Sequence, residues 1–180
     1  MVADMILSLD GQHFKRQYLL YIIEIIHEND CHYYIGQTGD HNYITARPAF
    51  RRLAGHLEDT GRSTQNQIYR YLAVRELGIL EADRKGSNFD EKTKQAVEDF
   101  LITSTIRMHV YSLQGFVPGI EHKKHLEIVR KVTLLEQIVI TLFMNNGKRI
   151  ANKKIPKSLM EKECPYPEIL KRIKDDFKLN

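Results

Sequence analysis

Two runs of β-forming residues lie close together near the N-terminus. Residues 18–23 are apolar and β-branched, and residues 33–39 begin with two tyrosines and end in glycine and threonine. The polar stretch 27–32 between them predicts a hairpin connection. Two strands joined this closely would place Tyr21 near Tyr34.

A helical pattern follows in residues 47–57. Apolar residues recur there at i, i+3, i+4 and i+7, namely Phe50, Leu53, Ala54 and Leu57. Arg52 and His56 are four residues apart, so on a helix they lie one above the other, away from the apolar stripe. We expect these two side chains to point together into a cleft.

Two shorter helices are predicted next. Ser63 or Thr64 is a suitable N-cap for a helix that stops at Gly78. Asp90 is a suitable N-cap for another helix, which follows a polar loop at 84–88. Together they predict a helical segment between the hairpin and the rest of the chain.

The second half of the chain predicts a third strand and a long helix. Apolar and polar residues alternate from Thr105 to Leu113, which is the period of a strand with one buried face. An amphipathic helix runs from about Lys124 to Met144, and a short charged helix from about Glu168 to Phe177. At 180 residues, these elements predict one domain of the α+β class.

The composition is that of a soluble globular protein. The apolar fraction is 42% and the charged fraction 28%, and no apolar run approaches the ~20 residues that a membrane span requires. Residues 1–10 carry acids where a secretory signal would be basic, which predicts a cytoplasmic protein. Cys31 and Cys164 are far apart in the sequence, which predicts reduced thiols.

The net charge of +4 favours a polyanionic partner. The basic residues crowd the segment 123–157, which contains few acids, and they are Lys123, Lys124, Arg130, Lys131, Lys148, Arg149, Lys153, Lys154 and Lys157. Such clustering suits a surface that contacts phosphates. A solvated helix face followed by a basic loop would give the same pattern.

One carboxylate lies on the apolar side of the long helix. At about 100° per residue, Glu136 falls within an arc of core positions, namely Val129, Val132, Val139 and Phe143. Burying an ionised carboxylate without a partner is costly, so such a group is usually paired, protonated or bound to a cation. The pattern leaves open a structural ion pair, a wrongly assigned helix face and a metal ligand.

These residues together resemble the motifs of the GIY-YIG nuclease superfamily. The corresponding residues are Leu19-Leu20-Tyr21 for the first motif, Tyr34-Ile35-Gly36 for the second, Arg52 and His56 on the first helix, Glu136 on a later helix, and Asn152 after it. Leu19 stands where the family has its first glycine. Asn145 and Asn146 lie nearer the helix and are alternatives to Asn152. The resemblance covers about residues 18–155 and rests on the joint order and spacing of the motifs.

The resemblance implies a small three-stranded antiparallel sheet flanked by helices, within a single domain over residues 1–180. The core would comprise about residues 18–62 and 103–155. A helical insertion would occupy about 63–102, and a C-terminal helical tail 156–180. This arrangement agrees with the strands and helices predicted above from the hydrophobic pattern.

The activity that the resemblance implies is metal-dependent hydrolysis of DNA phosphodiester bonds. Tyr21 would be the general base or would orient the water, with Tyr34 supporting it; because a phenol has a pKa of about 10, positive charge must lie nearby. Arg52 supplies that charge and would bind the scissile phosphate, and His56 would share the base role or hold the phosphate. Glu136 would bind one divalent ion, Mg²⁺ or Mn²⁺.

The implied partner is DNA, and no helix-turn-helix or zinc-finger module is evident. Five basic residues are candidates for contacts with backbone phosphates, namely Arg51, Lys148, Arg149, Lys153 and Lys154. The sequence leaves open whether the protein acts alone or as a homodimer, and whether it cuts RNA or branched DNA. The alternative function is a non-catalytic nucleic-acid-binding domain on the same scaffold, although such a domain has no need of a buried carboxylate.

Overall fold

The computed structural model describes residues 8–58, 66–78, 89–156 and 161–180. It confirms the α+β class, with one sheet and five α-helices in the described residues. The strands are β1 (Gln17–His27), β2 (Asp30–Gln37), β3 (Ser104–Gly115) and β4 (Arg149–Ile150). Their order across the sheet is β3-β1-β2-β4.

The helices follow the predicted order. They are α1 (Ala49–Leu57), α2 (Gln67–Tyr71, continued by a π-helical turn over Leu72–Glu76), α3 (Glu91–Ile102), α4 (His122–Asn145) and α5 (Pro167–Phe177). Asp90 caps α3 as predicted, because its Oδ1 accepts a hydrogen bond of 2.7 Å from the Thr93 amide. Ser63 and Thr64, the predicted caps of α2, lie outside the described residues.

The hairpin of β1 and β2 is tighter than predicted. The predicted hairpin is confirmed, but its connection is shorter than 27–32, since the strands extend into that stretch and leave only Glu28 and Asn29 as the turn. Glu28 has a φ of 53°, in the left-handed region that tight turns use. The polar residues can belong to strands because they find partners: His32 is buried, and its Nδ1 lies 3.1 Å from the Tyr71 hydroxyl.

The predicted three-stranded antiparallel sheet is correct for β1, β2 and β3 and omits the fourth strand. β1 pairs antiparallel with both β2 and β3, whereas β4 pairs parallel with β2. The fourth strand has two residues, too few to show a strand period in the sequence. It extends the β2 edge of the sheet toward the site described below.

The two faces of the sheet carry separate apolar clusters. On one face, Leu19, Tyr21 and Ile23 of β1 pack with residues of α1, α2 and α3. On the other, Leu20 and Ile22 pack with residues of α4 and α5. Because alternate residues of a strand point to opposite faces, β1 contributes to both clusters.

Other expectations about the chain have mixed outcomes. Cys31 and Cys164 are free thiols, as predicted. No helix in the described part of the chain is long and apolar enough to cross a membrane. The division into a core, an insertion at 63–102 and a tail at 156–180 stays a prediction, and part of each of these two segments falls outside the described residues.

Candidate active site

Helix α1 brings Arg52 and His56 to the face of the sheet that carries Tyr21. Arg52 is partly exposed and lines a cavity, whereas His56 is buried with 1% of its surface exposed. The expectation that both point into a cleft is therefore correct for Arg52 and wrong for His56. A buried imidazole needs hydrogen-bond partners, and Tyr21 provides one.

The hydroxyl group of Tyr21, which belongs to the first motif, lies between the second motif and helix α1. It lies 2.7 Å from Nε2 of His56 and accepts a hydrogen bond of 3.0 Å from Nε of Arg52. Tyr34 packs beside Tyr21, with ring centroids 6.2 Å apart. Because the arginine Nε–H can only donate, the proton of Tyr21 is available for donation to His56. The prediction that Tyr21 and Tyr34 lie near each other is confirmed.

Burial keeps both phenols protonated. It raises the pKa of Tyr21 above its ordinary value of 10, although the charge of Arg52 and its hydrogen bond lower it. Burial also raises the pKa of Tyr34 well above 10. Tyr34 lines a cavity that also contains Glu136, while Tyr21 lies behind it with no exposed surface. Tyr34 is therefore the phenol of this pair that meets the cavity.

Gly36 makes room for the Tyr21 ring on the neighbouring strand. The two residues are directly paired between β1 and β2, and a Cβ atom at position 36 would overlap the hydroxyl group and ring of Tyr21. The second motif therefore requires glycine here, because any other side chain would displace Tyr21 from Arg52 and His56.

Substitution of Gly36 by alanine is expected to reduce the free energy of unfolding by roughly 1–3 kcal/mol, because the buried Tyr21 ring must move. Chemical denaturation measures this change. Gly55→Ala is the control, because a Cβ there meets nothing within 4 Å on α1, and it should stabilise the helix by roughly 0.5–1 kcal/mol. Equal stability of the Gly36→Ala variant and the wild type would contradict the close packing of Tyr21 on Gly36.

Glu136 lies on α4 and faces this group across the cavities. It lines a cavity of about 210 Å³ together with Arg47 and Arg52, and a second one of about 630 Å³ together with Tyr34. Its carboxylate has no hydrogen bond or ion pair with any residue that the structure describes. Burial raises its pKa from 4.5 to about 7, although Arg52 lowers it. No ion pair with a described residue therefore explains the carboxylate.

A hydrated divalent cation fits this carboxylate. Mg²⁺ keeps several of its waters and needs as few as one or two protein carboxylates. The described residues contain no group of three or more His, Cys, Asp or Glu side chains that could hold a metal, so a site at Glu136 would rely on water for most ligands. An ionised Glu136 would supply the charge that attracts such an ion.

Asn152 has its side chain fully engaged with β2. Its Oδ1 accepts from the Ile35 amide at 3.0 Å and its Nδ2 donates to the Ile35 carbonyl at 2.6 Å. It also lines the larger Glu136 cavity, whereas the Asn146 side chain bonds the Leu142 carbonyl at the end of α4. Of the three candidate asparagines, Asn152 is thus the one at the cavity, where it holds the edge of β2 in place.

The predicted phosphate-contacting residues separate into two groups. Lys153 and Lys154 are exposed and line the Glu136 cavity, and Arg51 lines the adjoining cavity beside Arg52. Lys148 and Arg149 do not line these cavities. The Lys148 ammonium group is 5.9 Å from the centre of the Tyr33 ring, and Arg149 forms an ion pair of 2.8 Å with Asp30.

A second tyrosine–histidine pair supports the cavity and was not predicted. The Tyr18 hydroxyl lies 2.7 Å from Nδ1 of His125, and Nε2 of His125 donates to the carbonyl oxygen of Asp40 at 2.7 Å. Asp40 belongs to the loop after β2 that lines the smaller cavity. Both rings are fully buried. No sequence pattern indicates this contact, because the two residues are 107 positions apart.

Comparisons of the chain with protein-family models, with curated proteins and with solved structures give no match. The resemblance to the GIY-YIG superfamily therefore stays a prediction that rests on the motif residues. The functional conclusion depends on the geometry of those residues.

Proposed function

We propose that the protein is a divalent-metal-dependent endonuclease of the GIY-YIG type that hydrolyses DNA phosphodiester bonds. The observation that carries this proposal is the row of side chains Tyr34, Tyr21 and His56, in which Tyr21 packs beside Tyr34 and bonds His56, opposite the carboxylate of Glu136. Arg52 bonds to the middle of the series and lines the adjoining cavity. The two cavities that share Glu136 are thus lined or backed by groups suited to phosphate binding, proton transfer and cation binding.

Arg52 is suited to bind the scissile phosphate. Its Nε is occupied by Tyr21 at 3.0 Å, which fixes the plane of the guanidinium group. The Arg52 side chain belongs to the wall of the cavity, which also includes Arg47. A planar, fixed guanidinium group can donate two parallel hydrogen bonds to phosphate oxygens and stabilise the charge that develops in the transition state. Lys153 and Lys154 would contact the flanking phosphates.

The two tyrosines and His56 can move a proton without forming a free tyrosinate. A water in the cavity would give its proton to the Tyr34 oxygen as the Tyr34 proton passes to Tyr21 and the Tyr21 proton to Nε2 of His56. The water oxygen forms its bond to phosphorus while the bond to the leaving oxygen breaks, and that oxygen takes a proton from solvent. The raised pKa values of both phenols suit this relay, because each phenol stays neutral.

Glu136 would hold the cation, Mg²⁺ or Mn²⁺. The bound ion would supply positive charge against the phosphate oxygens and the departing oxyanion. Glu136 must be ionised for this role, and with a pKa of about 7 it is ionised at mildly alkaline pH. Asn152 keeps β2, and with it Tyr34, in position beside the carboxylate.

Cleavage of plasmid DNA and of short branched DNA with Mg²⁺ tests the proposal. Glu136→Gln is expected to lose cleavage by at least about 10²–10³-fold, and a chelator should abolish wild-type cleavage. Glu127→Gln is the matched control, because Glu127 is an exposed acid of the same helix. Wild-type rates in Glu136→Gln, or cleavage that persists with the chelator, would contradict the proposal. DNA binding without cleavage of any substrate would favour the non-catalytic nucleic-acid-binding domain. Cleavage of RNA alone would mean that the substrate is RNA and not DNA.

A further inference from the structure

A groove between α2 and the chain after β4 adjoins the proposed active site. It has a volume of about 290 Å³, just below the ~300 Å³ at which the range for small-molecule sites begins. Four of its lining residues also line the larger Glu136 cavity, namely Gln67, Asn152, Lys153 and Ile155. A chain-like ligand at Glu136 could therefore continue into the groove.

The groove exists because the sheet ends early at this edge. After the two residues of β4, the Ala151 amide still donates to the Tyr33 carbonyl at 2.8 Å, and Asn152 then bonds Ile35 through its side chain. This leaves Ile155 nearly half exposed, at 48%. Helix α2 and its π-helical turn form the opposite wall with Val74 and Arg75.

The lining of the groove combines positive charge with apolar surface. Three of the described lining residues are basic, namely Arg70, Arg75 and Lys153, and none is acidic. Arg75 and Lys153 are exposed. The apolar surface comes from Val74, Ile150 and Ile155. Proteins that hold single-stranded nucleic acid combine cations that follow the phosphates with aromatic side chains on which bases stack, and Tyr71 also lines this groove.

We infer that this groove binds an unpaired DNA strand next to the scissile phosphate. Arg75 and Lys153 contact its phosphates, and an unstacked base lies against Ile150 and Ile155. The inference rests on the proposed nuclease function and narrows its substrate class to DNA with a single-stranded segment beside the cut, such as a flap or a branch. A fully paired duplex would not place a base in a groove of this kind.

Binding measured by fluorescence anisotropy in EDTA tests the groove separately from cleavage. The probes are a labelled single strand, a flapped duplex and a blunt duplex of the same sequence. Arg75→Ala is expected to weaken binding of the single strand and the flap about fivefold or more, to lower the slope of log affinity against log salt by about 0.7, and to leave the blunt duplex unchanged. Arg107→Ala is the matched control, because Arg107 is an exposed arginine on β3, at the opposite edge of the sheet.

Ile155→Ser supplies a second variant that removes apolar surface at a half-exposed position and keeps all the charges. It should weaken binding of the single strand with no change in the salt slope. Unchanged single-strand affinity and slope in Arg75→Ala, or equal losses with all three probes, would overturn the inference. With either result, Mg²⁺-dependent cleavage by the wild type would leave the proposed nuclease function intact. Binding that depends on Arg75 but is not followed by cleavage would contradict the nuclease function and support single-strand binding in the groove.

Discussion

Replacing Tyr21 with phenylalanine is expected to reduce cleavage by about 10²–10⁴-fold, the usual contribution of a positioned proton-transfer group. The substitution removes the hydroxyl group that bonds Arg52 and His56 and leaves the ring in place against Tyr34 and Gly36. Protons can then no longer pass from Tyr34 to His56, and Arg52 loses the bond that fixes its guanidinium plane. Single-turnover cleavage with Mg²⁺ measures the loss.

The same substitution is expected to reduce the free energy of unfolding by roughly 1–3 kcal/mol, because buried partners of the hydroxyl group lose a hydrogen bond. Tyr18→Phe is the matched control. Tyr18 is equally buried on the same strand, and its hydroxyl group lies at the same 2.7 Å distance from a buried histidine, His125. Tyr18→Phe should show a comparable loss of stability with a far smaller loss of cleavage. Equal losses of cleavage in both variants would reduce Tyr21 to a structural role.

Tyr34→Phe distinguishes the relay from direct action of Tyr21 on water. In the relay, Tyr34 is the phenol that meets the cavity, so its hydroxyl group is needed as much as that of Tyr21. The two variants should therefore lose cleavage to a similar extent, and the double variant should lose little more, because residues that act as a unit are not additive. A Tyr34→Phe enzyme with wild-type rates would mean that Tyr21 reaches water by a movement of Arg52 or Tyr34.

The sequence predicts the elements of this fold better than their ends. The alternation in Thr105–Leu113 and the long apolar period of α4 are local patterns, and both appear where predicted. The hairpin turn was predicted too long, because polar residues such as His32 were assigned to a loop. Their burial depends on partners like Tyr71, which is 39 residues away. The β4 strand shows no alternation of apolar and polar residues in the sequence, because only its pairing with β2 defines it.

For the candidate site, too, the sequence predicts features that depend on neighbouring residues and misses those that depend on contacts between distant ones. The spacing of Arg52 and His56 predicts that they share a helix face, but only the packing of α1 on β1 shows that His56 is buried behind Tyr21. The helical period shows that Glu136 is out of place among apolar residues. The absence of a partner for it among the described residues follows from the position of α4 beside the cleft, which no periodicity encodes.

The raised pKa of Glu136 predicts a stability that depends on pH. In the unfolded chain this carboxyl group has a pKa near 4.5, and in the folded protein it has a pKa of about 7. Between these values the folded state binds more protons than the unfolded state, so the free energy of unfolding falls as pH rises from 4.5 to 7. The contribution is full below 4.5 and lost above 7. Partial exposure to the cavity keeps its size at roughly 1–3 kcal/mol.

Glu136→Gln removes this titration. The stability of the variant relative to the wild type is therefore expected to be higher at pH 8 than at pH 5. Urea denaturation of both proteins at the two pH values measures the difference, and Glu127→Gln should show none. Divalent cation should narrow the difference at pH 8. Mg²⁺ at about ten times its Kd would stabilise the wild type by roughly 1.4 kcal/mol and would leave Glu136→Gln unchanged. A difference that does not vary with pH would mean that the carboxylate is solvated rather than desolvated. Equal effects of Mg²⁺ on both proteins would place the cation elsewhere.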